Sequence, residues 1–265
     1  MEKISVIIVN WNVSESFSLC VKSVLDTKYS DLELILIDNN SKIRPKVVND
    51  PHVTFIQNES NIGFPAAVNQ GLKLFNGEYV LLLNPDTKIP QDFFIKAIDC
   101  LKSDPKIGVM GPKFVDSDGT PQGSVFHEPS IINTIREYWF GQKGLTQKYT
   151  PITDHYSLIT VDCVMGACMF MSKKVVEKVG LFTDKVFIFY EDLDYCRRIR
   201  KHGYKVVFNP DIIIEHEHGG STKQNPLANE LLMTASKWYN GILKHNLLWF
   251  IIWTSQKLQK LKNIL

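Results

Sequence analysis

The sequence predicts an α/β fold built around a mostly parallel central sheet, with a helical segment at the C-terminus. Short apolar runs rich in β-branched residues alternate with stretches of helical periodicity, which is typical of strand–helix–strand crossover units. Three of these runs change from apolar to polar residues near Val9, Asp38 and Asp86. The carboxyl ends of parallel strands share one edge of a sheet, where ligands bind. The polar clusters therefore predict a binding site at that edge.

The first half of the chain supplies four predicted strands. Residues 5–9 form a continuous β-branched run, as expected of a strand buried on both faces. Ser14 is a candidate helix cap, because apolar residues then recur at helical spacing. A short helix is expected at residues 66–72. The other strands are "LELILID", "VTFIQN" and "EYVLLLNPD".

The second half is less regular until residue 161. Residues 121–151 have no clear period, so they form either a loop closing over a ligand or an insertion. The stretch "VDCVMGACMFMSKKVVEKVG" predicts a strand and then a helix. The stretch "VFIFYEDLDYCRRIRKHGY" predicts a short apolar strand leading into a helix that stops near Gly203. We expect residues 1–225 to form the main domain and residues 226–265 a separate amphipathic helical segment.

The composition indicates a globular protein with a full core. The chain has 265 residues, 44% of them hydrophobic, and a formal net charge of +2, so no nucleic-acid partner is expected. The cysteines have no CxxC or CxxH spacing, which predicts core thiols in a reducing cytosol. The N-terminal "MEKISVIIVNWN" has a short apolar run without a small-residue cleavage site, so a signal peptide is not expected.

The segment 226–265 combines apolar, aromatic and basic residues. It contains "LLWFIIW", followed by Lys257, Lys260 and Lys262. Seven apolar residues are far short of the ~20 needed to span a bilayer. The pattern favours an interfacial helix with tryptophan anchors and with lysines facing anionic headgroups. The alternative is a helix packed on the domain or on a second subunit, as in a homodimer.

Asp86 closes the stretch "YVLLLNPDTKIP", in which five strand-forming residues lead into Asn-Pro-Asp. A carboxylate at a ligand-binding edge, with Asn84 beside it, suits a Mg²⁺ or Mn²⁺ ion that holds phosphate oxygens. Asn-Pro-Asp is also an ordinary turn sequence, and in that case Asp86 is structural. The loop "NESNIGFPAAVNQGL" brings Asn61 and Gly63 to a helix start, where backbone N–H groups can approach a phosphate or a sugar.

Glu191 and Asp192 lie at a predicted helix start, directly after the bulky "FIFY". A partly desolvated carboxylate there can act as a general base, although acids in a first turn are also favoured by the helix dipole. Asp194 is expected to pair with Arg198 at i+4. In "EHEHGGST", His216 follows a predicted strand, and its imidazole is either a metal ligand or part of a surface loop.

Seven motifs occur in a fixed order: "SVIIVNWN", "IDNNS", "NIGFPAAVNQG", "LLLNPD", "VMGACMFM", "FYEDLDYCRR" and "HEHGGS". Together they resemble the inverting glycosyltransferases of family 2, which have the GT-A fold, a Rossmann-like fold for nucleotide-diphospho-sugar transfer. The resemblance covers about residues 4–245. The Asn-Pro-Asp element and the His-x-x-Gly-x-Ser ending resemble the rhamnosyltransferase-like branch.

The resemblance implies a role for each matching position. Asp86 would hold the divalent cation on the donor's diphosphate, and His216 would be a further metal ligand. Asp192 would be the catalytic base, with Glu191 beside it. Within the nucleotide site, Asp38 would contact the base. The implied nucleotide-sugar-binding residues are Val9, Asn10, Asp38, Asn61, Gly63, Asn84 and Gly166.

The implied activity is inverting transfer of a sugar to a hydroxyl of a cell-surface glycan or a lipid-linked acceptor. The first expectation for the donor is dTDP-rhamnose, and the alternative is a UDP-hexose. The expected location is the cytoplasm, peripheral on the inner face of a bacterial membrane. A nucleotidyltransferase would need a Gly- and Arg/Lys-rich N-terminal loop, which "VNWNVSES" does not provide. A non-catalytic nucleotide-sugar-binding protein would not need the acids, all of which are present.

Overall fold

The computed structural model describes residues 2–47, 50–151, 157–217 and 226–262. The strands are β1 Ile4–Asn10, β2 Leu32–Asp38, β3 Val53–Gln57, β4 Tyr79–Leu83, β5 Thr87–Lys88, β6 Ile107–Val115, β7 Val125–Phe126, β8 Ile159–Thr160, β9 Cys163–Val164, β10 Cys168–Ser172 and β11 Lys205–His216. The helices are α1 Ser14–Asp26, α2 Phe64–Leu74, α3 Phe93–Ser103, α4 Ile131–Phe140, α5 Lys173–Val179, α6 Glu191–Lys201, α7 Ala228–Asn240 and α8 Ile242–Lys262.

A mixed central sheet confirms the predicted fold class. Within the described residues it has nine strands, ordered β3-β2-β1-β4-β10-β6-β11-β5, with β8 also paired to β11. Strands β3, β2, β1 and β4 are mutually parallel, and so are β6 and β11. Strand β10 is antiparallel to both of its neighbours. The four parallel strands place their carboxyl ends on one edge, as the sequence predicted.

The sheet has an apolar cluster on each face. Along β1, Ile4, Val6 and Ile8 pack into one cluster, and Ile7 and Val9 pack into the other. All seven residues of this strand are buried, which explains the four consecutive β-branched residues at positions 6–9. The predicted core thiols are confirmed, because all five cysteines are buried and unpaired: Cys20, Cys100, Cys163, Cys168 and Cys196.

Two local predictions were wrong. Ser14 is the first residue of α1 rather than its cap, and its hydroxyl donates to the Ile43 carbonyl. The stretch "VFIFY" is not a strand but a loop in which Phe189 and Tyr190 have φ of 73° and 65°. A strand cannot contain two consecutive left-handed residues, so the chain turns sharply there and enters α6.

The irregular region 121–151 contains a helix that its sequence did not reveal. Helix α4 begins at a Ser130 cap, whose hydroxyl accepts from Asn133 N–H, and Gly141 ends it with φ 71°. It packs against α8, where the Trp139 indole donates to the Ile251 carbonyl at 3.3 Å. Most of its apolar side chains stay exposed, among them Ile132, Trp139 and Phe140, so the helix does not have the buried apolar stripe of a core helix.

The C-terminal helices pack on the body of the protein. The Tyr190 hydroxyl donates to Ser236 on α7 at 3.2 Å, and the Arg197 guanidinium lies 3.6 Å from the Tyr239 ring centroid. The expected boundary at residues 225 and 226 borders residues 218–225, which are outside the described part of the chain. Among the helices of the described ranges, none is long and apolar enough to cross a membrane.

Candidate active site

A row of polar residues lies at the carboxyl edge of the sheet. Asn10, Asp38 and Gln57 are register partners on β1, β2 and β3. Asp38 is fully buried and accepts from the amides of Asn10 and Gln57, each at 2.7 Å, and from Ser41 Oγ at 2.6 Å. The Asn10 Oδ1 atom is buried without a hydrogen-bond partner among the described residues. Val9 precedes this row, and its side chain is buried in the apolar core.

An amide network extends this row toward the start of α2. The Asn39 amide donates to Asn61 Oδ1 at 2.7 Å and accepts from Asn58 at 3.0 Å. Asn61 Oδ1 also accepts from Gly63 N–H at 3.0 Å, which fixes the turn before the helix. Gln70 exchanges two hydrogen bonds with Asn58. Asn39, Asn58 and Gln70 were not predicted as site residues from the sequence, although "DNNS" and "NESN" are unusually rich in amides.

Gly63 occupies a position that only glycine fits. Its φ is +86°, and an added Cβ would lie 2.6 Å from the Phe187 carbonyl oxygen. That carbonyl accepts from Phe64 N–H at 2.8 Å. The loop that leads into α6 is therefore fastened to the loop that leads into α2, and the two predicted binding segments are adjacent.

Asp86 and His216 meet at the end of β11. Asp86 Oδ1 lies 3.6 Å from His216 Nε2, and both side chains are more than nine-tenths buried. His216 Nδ1 is 3.0 Å from Gln122 Oε1, which is an acceptor, so Nδ1–H donates to it and Nε2 is the nitrogen that faces Asp86. Gln122 Nε2 in turn donates to the His216 carbonyl at 2.6 Å. Gln122, which the sequence analysis missed, orients the imidazole.

This arrangement fits a divalent cation held by two protein ligands. A lone pair on Nε2, a facing carboxylate and a partner fixing Nδ1–H are the usual surroundings of a metal-ligating histidine. No cluster of three or more His, Cys, Asp or Glu side chains suited to a metal occurs among the described residues. Other ligands would therefore have to come from a substrate. The remainder of the His-x-x-Gly-x-Ser ending, residues 218–221, lies outside the described residues.

Asn84, Gly166 and Asp192 are brought together by two backbone contacts. Asp192 Oδ2 accepts from Gly166 N–H at 3.2 Å. The next residue, Ala167, accepts at its carbonyl from Asn84 N–H at 2.9 Å. The carboxylate at the start of α6 is thus connected to the loop that carries Asp86. Residues far apart in sequence meet here because β10 lies directly beside β4.

Burial changes the acid chemistry at the start of α6. Burial raises the pKa of Glu191, and the nearby Asp192 charge raises it further. Burial also raises the pKa of Asp192, partly offset by hydrogen bonds from Gly166 and Leu193 N–H. Glu191 Oε2 has no hydrogen-bond partner among the described residues. The expected pair of Asp194 with Arg198 is present at 2.9 Å, so Asp194 is structural as predicted.

The residues before these acids are strained. Phe189 and Tyr190 both have positive φ, which costs of order 1–3 kcal/mol for each non-glycine residue. Directly after them, Glu191 and Asp192 line a cavity of about 370 Å³ between α4, α7 and α8. Such strained residues are found most often at functional sites. Asp192 is thus a carboxylate of raised pKa facing a ligand-sized cavity.

The fold has the architecture of the GT-A glycosyltransferases. The structure superimposes on GalNAc-T7 with UDP, GalNAc and Mn²⁺ at a TM-score of 0.66 and 17% identity, over 91% of this chain and 48% of that one. It superimposes on the mannosyltransferase PcManGT of Pyrobaculum calidifontis, in complex with GDP-Man and Mn²⁺, at a TM-score of 0.57 and 16% identity, over 92% of this chain and 63% of that one.

The sequence identifies the family. Residues 2–239 match the family model described as "Glycosyltransferase like family 2", and the chain belongs to this family. The resemblance found from the seven motifs is thereby confirmed.

Two relatives of known name are a hexosyltransferase and a rhamnosyltransferase. The low-salt glycan biosynthesis hexosyltransferase Agl10 of Haloferax volcanii is 24% identical over 219 residues, covering 78% of this chain and 64% of its own. The N-acetylglucosaminyl-diphospho-decaprenol L-rhamnosyltransferase of Mycobacterium tuberculosis is 24% identical over 217 residues, covering 75% of this chain and 70% of its own. The chain therefore spans about two thirds of the length of these relatives.

Proposed function

We propose that this protein transfers a sugar, with inversion, from a nucleotide-sugar donor to an acceptor hydroxyl, and that it requires a divalent cation. One observation carries the proposal. Asp192, with its raised pKa, faces a cavity, and backbone contacts connect it to the Asp86 loop, where Asp86 and His216 fit a metal. A base and a diphosphate-binding site must be adjacent for direct displacement at an anomeric carbon.

The proposed reaction is a single displacement. The Asp192 carboxylate accepts the proton of the acceptor hydroxyl, whose oxygen attacks the anomeric carbon opposite the leaving nucleoside diphosphate. A cation bound at Asp86 and His216 would offset the negative charge that develops on that diphosphate. Glu191, whose pKa is also raised, keeps its proton more readily and so adds less negative charge beside the base.

The proposed nucleotide site is the polar edge formed by β1, β2 and α2. Asn10, Asp38, Asn61 and Gly63 form or fix this edge, with Val9 supporting it from the core. Asn84 and Gly166 would complete the site from the Asp86 loop and from beside Asp192. Uracil and thymine both present a ring N–H, and Asn10 Oδ1, which is buried without a hydrogen-bond partner among the described residues, would accept from such a donor if the edge opens to expose it. Both oxygens of Asp38 already accept hydrogen bonds, so Asp38 would contact a base only by exchanging one of its partners.

For the donor we propose dTDP-rhamnose, with a UDP-hexose as the alternative. The rhamnosyltransferase relative supports the first choice, and the hexosyltransferase relative supports the second. The proposed acceptor is a cell-surface glycan or a lipid-linked glycan. This is consistent with the diphospho-decaprenol named for the mycobacterial relative. The proposed location is the cytoplasmic face of a bacterial membrane, contacted through α8, and a homodimer through α8 is the competing arrangement.

Titration calorimetry with dTDP and UDP, each with and without Mn²⁺, tests the donor and the metal together. Metal-dependent binding that prefers dTDP supports rhamnosyl transfer, and a metal-dependent preference for UDP supports the hexosyl alternative. A variant at the proposed ligand, Asp86→Asn, should lose the metal dependence, whereas the control Asp99→Asn, at an exposed position on α3, should retain it. Absence of binding for both nucleotides would refute the proposed function.

A further inference from the structure

The cavity beside the catalytic acids has a chemically mixed lining. Glu191 and Asp192 on α6 contribute carboxylates to it. Helix α8 contributes apolar and aromatic side chains: Leu248, Trp249 and Ile252. Its volume of about 370 Å³ lies in the range of small-ligand sites. A ligand that fills it would need a polar end at the acids and an apolar end along α8.

Helix α8 buries only one of its faces. His245, Leu248, Ile251 and Ser255 are buried at helical spacing. On the opposite side Leu243, Phe250 and Trp253 are 88%, 60% and 55% exposed. Residues 247–253 of this helix are apolar on every side, and such a stretch is normally covered all round, so the exposed face is suited to a further apolar contact.

Helix α4 adds aromatic residues next to this face. Trp139 lies against the α8 backbone through its hydrogen bond to the Ile251 carbonyl, yet half of its surface is exposed, and Phe140 is 74% exposed. Trp249 is 42% exposed and also lines the cavity. The rim of the cavity therefore borders the exposed apolar surface of α8, and α4 flanks that surface.

The positive charge of the C-terminal segment favours contact with an anionic surface. Residues 231–265 contain five lysines and no acidic residue, whereas the preceding 230 residues contain 25 basic and 28 acidic residues. Lys257 is exposed and its ammonium group lies 6.0 Å from the Trp253 ring centroid, on the same face as Phe250. Exposed aromatic residues with lysines beside them match the interface of an anionic bilayer.

We propose that the cavity binds an amphiphilic acceptor, with its sugar end at Asp192 and its hydrocarbon end along Leu248, Trp249 and Ile252. The acceptor reaches the cavity from an anionic lipid bilayer on which the exposed faces of α8 and α4 rest. This inference rests on the proposed function and specifies the acceptor as membrane-borne. It also assigns α4, from the region 121–151, to the membrane-contacting surface.

Two glucosides that differ only in their tail test the cavity. We expect n-octyl β-D-glucopyranoside, below its micellar concentration, to bind at least tenfold more tightly than methyl β-D-glucopyranoside in titration calorimetry. Ile252→Trp, which fills the cavity, should remove this difference. Ile242→Trp, on the exposed N-terminal turn of the same helix, should retain it. Equal binding of the two glucosides, or a difference that survives Ile252→Trp, overturns the proposal.

A thermal melt of each variant checks folding, and Trp249→Ala at the cavity rim replaces Ile252→Trp if the latter does not fold. This second variant should reduce the tail-dependent difference at least threefold. An unchanged difference in folded Trp249→Ala protein would equally overturn the cavity assignment.

Vesicle co-sedimentation tests the bilayer contact. We expect binding to vesicles containing 30% phosphatidylglycerol to exceed binding to pure phosphatidylcholine at least tenfold, and the double variant Phe250→Ser/Trp253→Ser to abolish it. The matched control Leu74→Ser/Ile95→Ser removes exposed apolar side chains on α2 and α3 and should bind like the unmodified protein. The proposal is overturned if the unmodified protein does not bind vesicles and instead forms a concentration-dependent dimer that the α8 variant does not form. That result would show that the exposed face of α8 is a subunit interface.

Nucleotide binding tests the proposed function separately from the amphiphilic acceptor. Metal-dependent nucleotide binding by the unmodified protein, together with equal binding of the two glucosides and no vesicle binding, would refute only the amphiphilic acceptor. Failure to bind any nucleotide would refute the transferase assignment itself, whatever the vesicles show.

Discussion

Asp192→Asn should nearly abolish transfer and leave the protein folded. The Asp192 carboxylate accepts from Gly166 N–H at 3.2 Å and from Leu193 N–H at 2.8 Å. An asparagine side chain has one acceptor oxygen, so one of these donors loses its partner, at a cost of about 1–3 kcal/mol. The loss of a buried charge beside Glu191 offsets part of this cost, because burial and the neighbouring acid penalise that charge.

The catalytic loss should exceed the effect on stability. A positioned general base contributes about 10²- to 10⁴-fold in rate, which corresponds to about 2.7–5.5 kcal/mol of activation free energy. We expect kcat to fall by this factor, while the Kd for the nucleotide with Mn²⁺ changes less than about threefold. The assay is release of nucleoside diphosphate from the donor in the presence of a lipid-linked glycan extract.

Asp194→Asn is the matched control for this experiment. Asp194 is two residues further along α6 and pairs with Arg198 rather than facing the cavity. A partly exposed ion pair contributes about 0–1 kcal/mol to stability, so kcat should stay within about twofold of the unmodified enzyme. Unchanged kcat in folded Asp192→Asn protein, or an equal loss in both variants, would contradict the assignment of the base.

Three further predictions test the surrounding geometry. Gln122→Ala should weaken Mn²⁺-dependent nucleotide binding by about 10- to 100-fold, because His216 loses the partner that orients it; unchanged affinity in calorimetry would contradict this. Gly63→Ala should lower the Tm by about 2–4 °C per kcal/mol, with at least 1–2 kcal/mol expected from its φ of +86° and the approach to the Phe187 carbonyl. Glu191→Gln should flatten the pH dependence of the unfolding free energy above pH 4.5. Burial raises the pKa of Glu191 in the folded state above that value, so the native state binds more protons than the unfolded state. The stability of the unmodified protein therefore falls as the pH rises from 4.5 to the raised pKa, and the glutamine variant lacks this loss. If urea denaturation gives the same pH dependence of the unfolding free energy for both proteins, that reasoning is refuted.

At the carboxyl edge of the sheet, local sequence patterns predicted the strands and the position of the acids but not the hydrogen bonds between them. Strand β1 was predicted from an unbroken apolar run, since a strand buried on both faces needs apolar residues at every position. The placement of Asp38 and Asp86 at the ends of neighbouring strands followed from the parallel sheet. The hydrogen bonds joining Asn10, Asp38 and Gln57 did not follow, because they depend on the register between strands.

The loop before α6 shows where local patterns mislead. "VFIFY" has strand-forming composition, yet Phe189 and Tyr190 take left-handed conformations. Contacts with the loop at Gly63 impose that geometry from a distance of more than 120 residues, and tertiary context overrode local propensity. Likewise, Gln122 could not be recognised as the partner of His216, because 94 residues separate them.

The sequence by itself determined the α/β class, the family and the acids that the chemistry would use. These depend on residue types and on short-range order, which a strand or helix start displays locally. The tertiary structure alone decided that α4 and α8 enclose a cavity ending at Asp192, and that one face of α8 remains exposed. Those features arise from which surfaces pack together. The periodicity of one segment shows which face it buries but not which segment, more than 100 residues away, covers that face.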